Sequence, residues 1–305
     1  MPNCTLETMT KTYHYPVMYR EIIKLLEPAK RKVVVDCTLG MGGHAGKCLE
    51  LMGQDSHLIG IDRDQESLER ARNNLKDFNG RFTLVKGDFA QVSRILDQLG
   101  LKQVDVFLFD LGISTYQLND PQRGFSFLKE GPLDMRMDQD AFVSAYDLVN
   151  NLSEEELTVI FRKFGEERYA RKIAQRLVAA RRNEPIVTTT QLTRVIISAL
   201  SVKFQHGRIH PATRVFQSLR IAVNRELESL REGIKTAVGY LSPGGRIGVI
   251  SFHSLEDRIV KHTFRDYRSQ GVLALITKKP LVPGDSEKEE NMASRSAKLR
   301  VAEKI

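Results

Sequence analysis

Four short apolar runs, spaced by single helix-length stretches, constrain the fold more than any other feature of this chain. The runs are Val33–Asp36, Leu58–Asp62, Phe82–Val85 and Val104–Asp110. Between them, His44–Met52, Gln65–Phe78 and Val92–Leu99 carry helical periodicity. Parallel strands need a crossover connection, and one helix per strand supplies it. The pattern predicts a doubly wound parallel sheet, an α/β fold of Rossmann-like type. The rhythm returns late in the chain. Ser242-Pro243-Gly244-Gly245 reads as a turn, Arg246–Phe252 as a fifth strand and Val272–Thr277 as a sixth or seventh. Pro283–Asn291 is polar and is expected to be mobile.

A different composition separates these halves. Leu111–Met137 is rich in Gly, Pro and Asp without a clear period, and a loop that long in a compact domain is usually functional. Ser153-Glu154-Glu155-Glu156 reads as a capping box, with Leu157, Ile160, Phe161 and Phe164 following on one helical face. Further helices are expected over Glu167–Arg182, over Thr190–Leu200, and from Pro211, which suits a first turn. The expected organisation is a sheet domain of residues 1–123 and 216–305 around an all-helical insert of residues 124–215. Charge follows the same division. Leu157–Arg225 holds 14 Lys or Arg against Glu166, Glu167 and Glu184, a formal +11 in a chain of net +8. Solvated helical faces usually mix signs, so this segment favours nucleic-acid contact. Arg168, Arg171, Arg181 and Arg182 are the expected phosphate ligands.

Several function classes are disfavoured. Cys4, Cys37 and Cys48 have neither metal-ligand spacing nor the numbers of a disulfide framework, which fits a reducing cytoplasm. The histidines lack HExxH spacing, so no metal site is expected. Ser114, Ser251 and Ser254 lack a nucleophile elbow, leaving acyl chemistry unsupported. No apolar stretch approaches the roughly 20 residues that span a bilayer, and Met1–Lys11 carries no signal or transit pattern.

The chemistry-bearing residues cluster at strand ends. Gly40-Met41-Gly42-Gly43-His44-Ala45 fits G-x-G-x-x-[GA] between a strand and a helix, where bare backbone can approach a ligand. Alone, the loop is equally an ordinary strand-to-helix turn. Asp62 closes the second strand, where a carboxylate can accept both hydroxyls of a ribose. Asp64 can cap the next helix and leave Asp62 free. Loop and acid together point to a nucleoside-type cofactor without separating NAD from S-adenosylmethionine. Gly87-Asp88-Phe89 offers an acid and an aromatic to an adenine, although core packing explains Phe89 slightly better. Asp110-Leu111-Gly112 ends the fourth strand, at the edge where open α/β sheets hold ligands.

With these segments in view, the chain resembles the bacterial 16S rRNA cytosine-N4 methyltransferases, the RsmH or MraW family, almost end to end. The resemblance rests on His14-Tyr15-Pro16-Val17-Met18, Asp36–His44, Gly60–Asp64 and Asp110–Ser114. Its most specific runs are Arg123–Phe127, Gly131–Met137, His210–Arg214 and Ser251–Arg258. Tyr116 stands where the family usually has proline, Val272–Asn291 is shorter than in many members, and Asn291–Arg300 keeps the family pattern only partly. The resemblance implies S-adenosylmethionine held by Gly42, Gly43, His44, Asp62, Phe89, Asp110 and Gln117; on mechanistic grounds Asp110 is also the candidate catalytic residue, as acceptor of an amine N–H, with the Leu111 carbonyl as the other candidate and cofactor binding alone as the alternative role for Asp110. It implies 16S rRNA of the small ribosomal subunit as partner, a cytidine of the decoding region (rRNA position 1402) as target, and a cytoplasmic location. Tyr116, Phe125 and Phe127 are candidates to hold the extruded base, with core packing favoured for Phe127. A homodimer stays open. The rival readings are a dehydrogenase, a non-catalytic RNA-binding or assembly factor, and a methyltransferase acting on another cytosine.

Overall fold

The computed structural model describes residues 16–201 and 210–305. Cys4, Met1–Lys11, His14 and Tyr15 lie outside the described residues. A first helix, α1 (Tyr19–Leu26), leads into the alternating unit. That unit runs β1 (Val33–Asp36), α2 (Gly43–Leu51), β2 (His57–Asp62), α3 (Gln65–Asn74), β3 (Phe82–Lys86), α4 (Val92–Gln98) and β4 (Val104–Asp110). Among the described residues, five helices of the central lobe follow a short α5 (Thr115–Asn119): α6 (Ala145–Asn151), α7 (Glu154–Gly165), α8 (Ala170–Arg181), α9 (Thr189–Ser198) and α10 (Ala212–Asn224). The chain then returns through α11 (Glu226–Tyr240), β5 (Leu241–Ser251), α12 (Ser254–Ser269), β6 (Leu273–Leu275), α13 (Asp285–Glu290) and β7 (Lys298–Lys304).

The strands form one sheet in the order β3-β2-β1-β4-β5-β7-β6. Strands β1 to β5 pair parallel, and β7 runs antiparallel between β5 and β6. The apolar strands have this composition because both sheet faces are covered. Val35, Phe107, Phe109 and Val249 point into one core with α4, α11 and α12. Val34, Val106, Leu108 and Ile250 point into the other with α1, α2 and α3. The crossover from β3 to β4 reverses the winding between the neighbours β1 and β4, and the carboxyl ends of β1, β2 and β4 lie at this switch point, where open α/β sheets hold ligands.

The helical lobe has a core of its own, built from residues such as Phe125, Leu133, Phe161, Ile173, Leu192 and Phe216. The expected capping box at Ser153 is present with Glu156. Phe216 and Leu219 lie in this core whereas Ile221 lies in the sheet core, so the two lobes share α10 across the expected limit at residue 215. The helix expected from Pro211 stops at Asn224, because Arg225 turns left-handed at φ 50°.

Two expectations at the carboxyl end need correction, and one strand was missed. Ser242–Gly245 lies inside β5, where the register slips from Val104 opposite Leu241 to Val106 opposite Arg246. Pro243 offers no N–H to a ladder and Gly244 sits at φ 74°, so the strand bulges without ending. Pro283–Asn291 contains α13, and the Glu287 carboxylate accepts the Met18 N–H at 2.5 Å, which ties this segment to the start of α1. Strand β7 was not expected from the sequence. Its Leu299 and Val301 face one core and Ala302 the other, a period of two interrupted by Lys298, Arg300 and Glu303.

The turn after α5 tests the packing. Gly124 sits at φ 68°, and a Cβ there would lie 2.2 Å from the Pro132 carbonyl oxygen. Gly244 has a similar φ of 74° but open space around it. Gly124→Ala should cost about 2–4 kcal/mol, strain plus overpacking, and Gly244→Ala about 1 kcal/mol. Urea midpoints measure both, and equal shifts would contradict the packing described.

Candidate active site

The glycine loop is shaped by backbone that only glycine takes easily. Gly40 and Gly42 have φ values of 52° and 82°, and Gly42 caps the start of α2. A Cβ on Gly42 would press Leu75 at 3.2 Å, and one on Gly43 would press Pro16 at 3.3 Å. Asp62 anchors the loop from β2: its Oδ2 accepts the Gly40 N–H at 2.7 Å, and its Oδ1 accepts the Asp64 N–H at 2.9 Å. Asp62 is therefore not free, as the sequence reading held, although each oxygen keeps a lone pair for a further donor.

Three carboxylates meet at this edge. Asp36, Asp62 and Asp110 end β1, β2 and β4. Burial pushes Asp36 and Asp110 up to about 7 and Asp62 up to about 6. Mutual repulsion adds to this at Asp36, and the buried Glu256 adds to it at Asp110. Asp36 Oδ2 and Asp110 Oδ1 are buried without a hydrogen-bond partner. The Asp110 side chain keeps 24% of its surface open, and its backbone N–H donates to Thr38 Oγ1 at 2.6 Å. The described residues put no lysine or arginine into ion-pair contact with Asp36 or Asp110, although an unpartnered buried oxygen is costly.

His44 completes the cluster. Its ring is buried, and burial holds it below its ordinary value despite the neighbouring Asp36 charge, so it is neutral. Nε2 lies 2.9 Å from the Val17 carbonyl, which can only accept, so the ring proton is assigned to Nε2. Nδ1 then presents a lone pair to Asp110 Oδ2 at 3.5 Å. That contact favours a proton on the Asp110 carboxyl.

The other expected residues sit around this centre. Phe89 opens a short turn after β3; its edge meets Phe109 at 5.5 Å and the Arg63 guanidinium lies 5.5 Å from its ring centre. Asp88 is committed to Arg63, Ser229 and the Ala90 N–H. Gln117 has both ends of its amide engaged: Oε1 accepts the Ser114 N–H, and Nε2 donates to Asp64 Oδ2 at 2.8 Å. It reaches the crevice only through Asp64. Among the loop aromatics, Phe125 is core, the Tyr116 ring lies under Arg70 at 3.8 Å, and Phe127 stacks on His210 at 4.6 Å. Arg181 is a correction. Its guanidinium donates to the Val149 and Leu152 carbonyls and closes α6. Arg168, Arg171 and Arg182 remain exposed.

Asp36, Arg123 and the extent of the Asp64 network were not singled out in the sequence. Asp64 caps α3 as expected and also accepts from Ser67, Gln117 and Arg123. Arg123 is 2% exposed and donates to Asp64 at 2.8 Å and to the Arg136 and Met137 carbonyls at 3.0 and 2.9 Å. The Met137 N–H donates to Asn224, whose own carbonyl accepts from Arg63 at 2.6 Å. This network joins the end of β2 to the helical lobe. Arg123→Met leaves the buried Asp64 without its counter-charge, and should cost about 3–5 kcal/mol in a urea titration. A loss below about 1 kcal/mol would show that the pair is not a structural tie.

Among the described residues no acidic, histidine and cysteine group has the makings of a metal site, and no helix is long and apolar enough to cross a membrane. The sequence profile of the MraW methylase family matches residues 11–305. The chain is 46% identical to the Ribosomal RNA small subunit methyltransferase H of Persephonella marina, across 96% of this chain and 99% of that one. It is 49% identical to the protein of the same name from Geobacter sulfurreducens, with 96% and 99% covered. Among solved structures it superposes on NSun6 from Pyrococcus horikoshii with a TM-score of 0.48 at 14% identity, covering 100% of this chain and 56% of that one. An rRNA methylase from Streptococcus thermophilus gives 0.43 at 10% identity, with 94% and 93% covered. A profile match over nearly the whole length, with relatives this similar over nearly their whole length, places the chain in the MraW methylase family.

Proposed function

We propose that the chain transfers a methyl group from S-adenosylmethionine to N4 of a cytidine in the decoding region of 16S rRNA, within the small ribosomal subunit. The observation that carries the reading is the carboxylate trio Asp36, Asp62 and Asp110 around the glycine loop, with buried oxygens of Asp36 and Asp110 left unpartnered. Such a crevice attracts cations and repels anions. A dinucleotide such as NAD would bring a pyrophosphate to the N-terminus of α2, against this repulsion. S-adenosylmethionine carries a sulfonium and an ammonium group and no phosphate. A binding-only assembly factor would have no use for three desolvated acids. The names carried by the relatives support rRNA of the small subunit as the substrate. That substrate implies a cytoplasmic setting, and the reading requires no second copy of the chain.

In this reading Gly42 and Gly43 give the cofactor a side-chain-free approach to α2. Asp62 uses its remaining lone pairs on the ribose hydroxyls. Phe89 borders the adenine side, and His44 and Asp110 face the charged end. Gln117 acts at one remove, through Asp64. When bound, the cofactor supplies a methyl group already activated on sulfur.

The exocyclic amine of cytosine is a poor nucleophile, because its lone pair is delocalised into the ring. A carboxylate at Asp110, or the Leu111 carbonyl, accepts an N–H and draws that pair back onto nitrogen. As the N–C bond replaces the bond from methyl to sulfur, N4 must shed one proton, and Asp110 has an oxygen without a partner that would take it. Neutral His44 accepts from the protonated acid through Nδ1, so no second buried charge is needed. Positioning supplies most of the acceleration. The base must leave its stack, at a cost of a few kcal/mol. Phosphate contacts from Arg168, Arg171 and Arg182 would offset that cost.

The pH dependence has a definite sign. Asp36, Asp62 and Asp110 are protonated more readily in the fold than in the unfolded chain. The ligand-free protein therefore loses stability as pH rises from the ordinary value of 3.8 through about 6 to 7, and over the upper part of that window its site gains negative charge. S-adenosylmethionine should bind more weakly at pH 5.5 than at pH 8. S-adenosylhomocysteine, which lacks the sulfonium charge, should lose less. Calorimetric titration of both ligands tests this, and parallel losses would remove the carboxylates from cation recognition. Asp110→Asn should keep cofactor binding within about tenfold while turnover falls about 100-fold or more. Full turnover by that variant would take Asp110 out of the chemistry.

A further inference from the structure

The basic segment expected to meet RNA lies in the helical lobe, but a second basic face lies on α12, in the sheet domain. At 3.6 residues per turn, Arg258, Lys261, His262, Arg265 and Arg268 fall within an arc of about 120° on this helix. Arg258, His262, Arg265 and Arg268 are exposed and Lys261 is half-buried. Only Arg258 has an acidic partner among the described residues, Glu166 at 3.2 Å. The exposed acid of the helix, Asp266, stands at the flank of the arc. An ordinary solvated helix looks different. On α3, Arg70 is interleaved with Glu66 and Glu69, and pairs with Glu66 at 2.9 Å. Nothing on α12 neutralises its face in that way.

Its position matters as much as its charge. The helix starts directly after β5, at the sheet edge that carries Asp110, and the Phe252 ring lies 3.8 Å from where a Gly112 Cβ would stand. Its first turn touches the helical lobe. Ser254 donates to Glu166 at 3.1 Å, beside the Arg258 pair, and Arg214 donates to the Glu166 carbonyl. The start of the α12 face thus meets, through Glu166, the lobe that carries Arg168 and Arg171. From Arg258 the face runs about 15 Å to Arg268. There, Arg268 and Lys278 line one shallow groove beside the edge strand β6.

We propose that this face is a second phosphate track, which holds RNA flanking the target nucleotide on the side away from the helical lobe. The proposal rests on the RNA-methyltransferase reading and extends it to a surface outside residues 124–215. Two basic faces meeting at Glu166 would grip the backbone on both sides of an extruded base. Such a grip fixes register without reading sequence.

The test uses the full chain, with small ribosomal subunits lacking the modification as the RNA. Arg265→Gln with Arg268→Gln removes two charges from the track. Arg72→Gln with Lys76→Gln removes two exposed charges from the far edge of the sheet, on and just after α3, as a control for net charge. The α12 variant should raise KM for subunits about tenfold and lower the slope of log affinity against log salt by about 1.5. Its kcat and its affinity for S-adenosylhomocysteine should be unchanged, and the α3 variant should match the unmodified protein. If the unmodified protein methylates subunits and the α12 variant shows the same KM and salt slope as the control, the track is wrong and the function stands. If the unmodified protein neither binds nor methylates subunits, both fall together.

Discussion

The buried pair of Arg123 with Asp64 is the constraint on which the rest of the structure depends. Asp64 starts α3, orients Asp62 through its own N–H, and receives the guanidinium of a residue from the long loop. Arg123 in turn collects the Arg136 and Met137 carbonyls at the base of the helical lobe. A buried ion pair gains little over an apolar contact of the same shape, because both charges lose water. Its value is directional: one arrangement satisfies the guanidinium donors to Asp64, Arg136 and Met137, and that arrangement sets the lobe against the glycine loop. The surroundings show how tight the fit is, since Gly124 and Gly131 leave no room for a Cβ.

A second constraint works in the opposite direction. The sheet brings three acids together and leaves two of their oxygens without partners, a local cost that the fold tolerates. The two arrangements are linked through Asp62, which belongs to both. In the polar network protein groups take up Asp64 and two of the three Arg123 nitrogens, with Arg123 Nε left unpartnered, while the carboxylate cluster has no cationic side chain paired to Asp36 or Asp110 among the described residues. Gln117 belongs to the network, and Asp110, Asp36 and His44 to the cluster.

Much of this was legible in the sequence for a physical reason. Strands β1, β2 and β4 lie inside the sheet and are mostly buried, so they read as largely apolar runs, and β4 falls on the expected Val104–Asp110. The Asp64 cap and the Ser153 capping box are local contacts, and local contacts are readable. Strand β7 was hidden, because its outward residues carry charge and it runs against the parallel rhythm. Ser242–Gly245 carries every signal of a turn but is used as a bulge. Arg123 entered the sequence reading only as part of a family-specific run, and its pairing was not legible, since its partner Asp64 is remote in sequence. Asp36 closed its strand without distinction until the sheet placed it beside two other acids. Gln117 stood out only through family resemblance, and its contacts recast it as support for Asp64.

The central claim is that this crevice presents an activated methyl group to the amine of a cytosine. The most direct measurement is transfer from labelled S-adenosylmethionine to small ribosomal subunits that lack the modification, followed by mass mapping of the RNA. The account predicts a single labelled cytidine in the decoding region, with the methyl group on N4. Label on another base or atom, or no label from protein that binds S-adenosylmethionine, would contradict it.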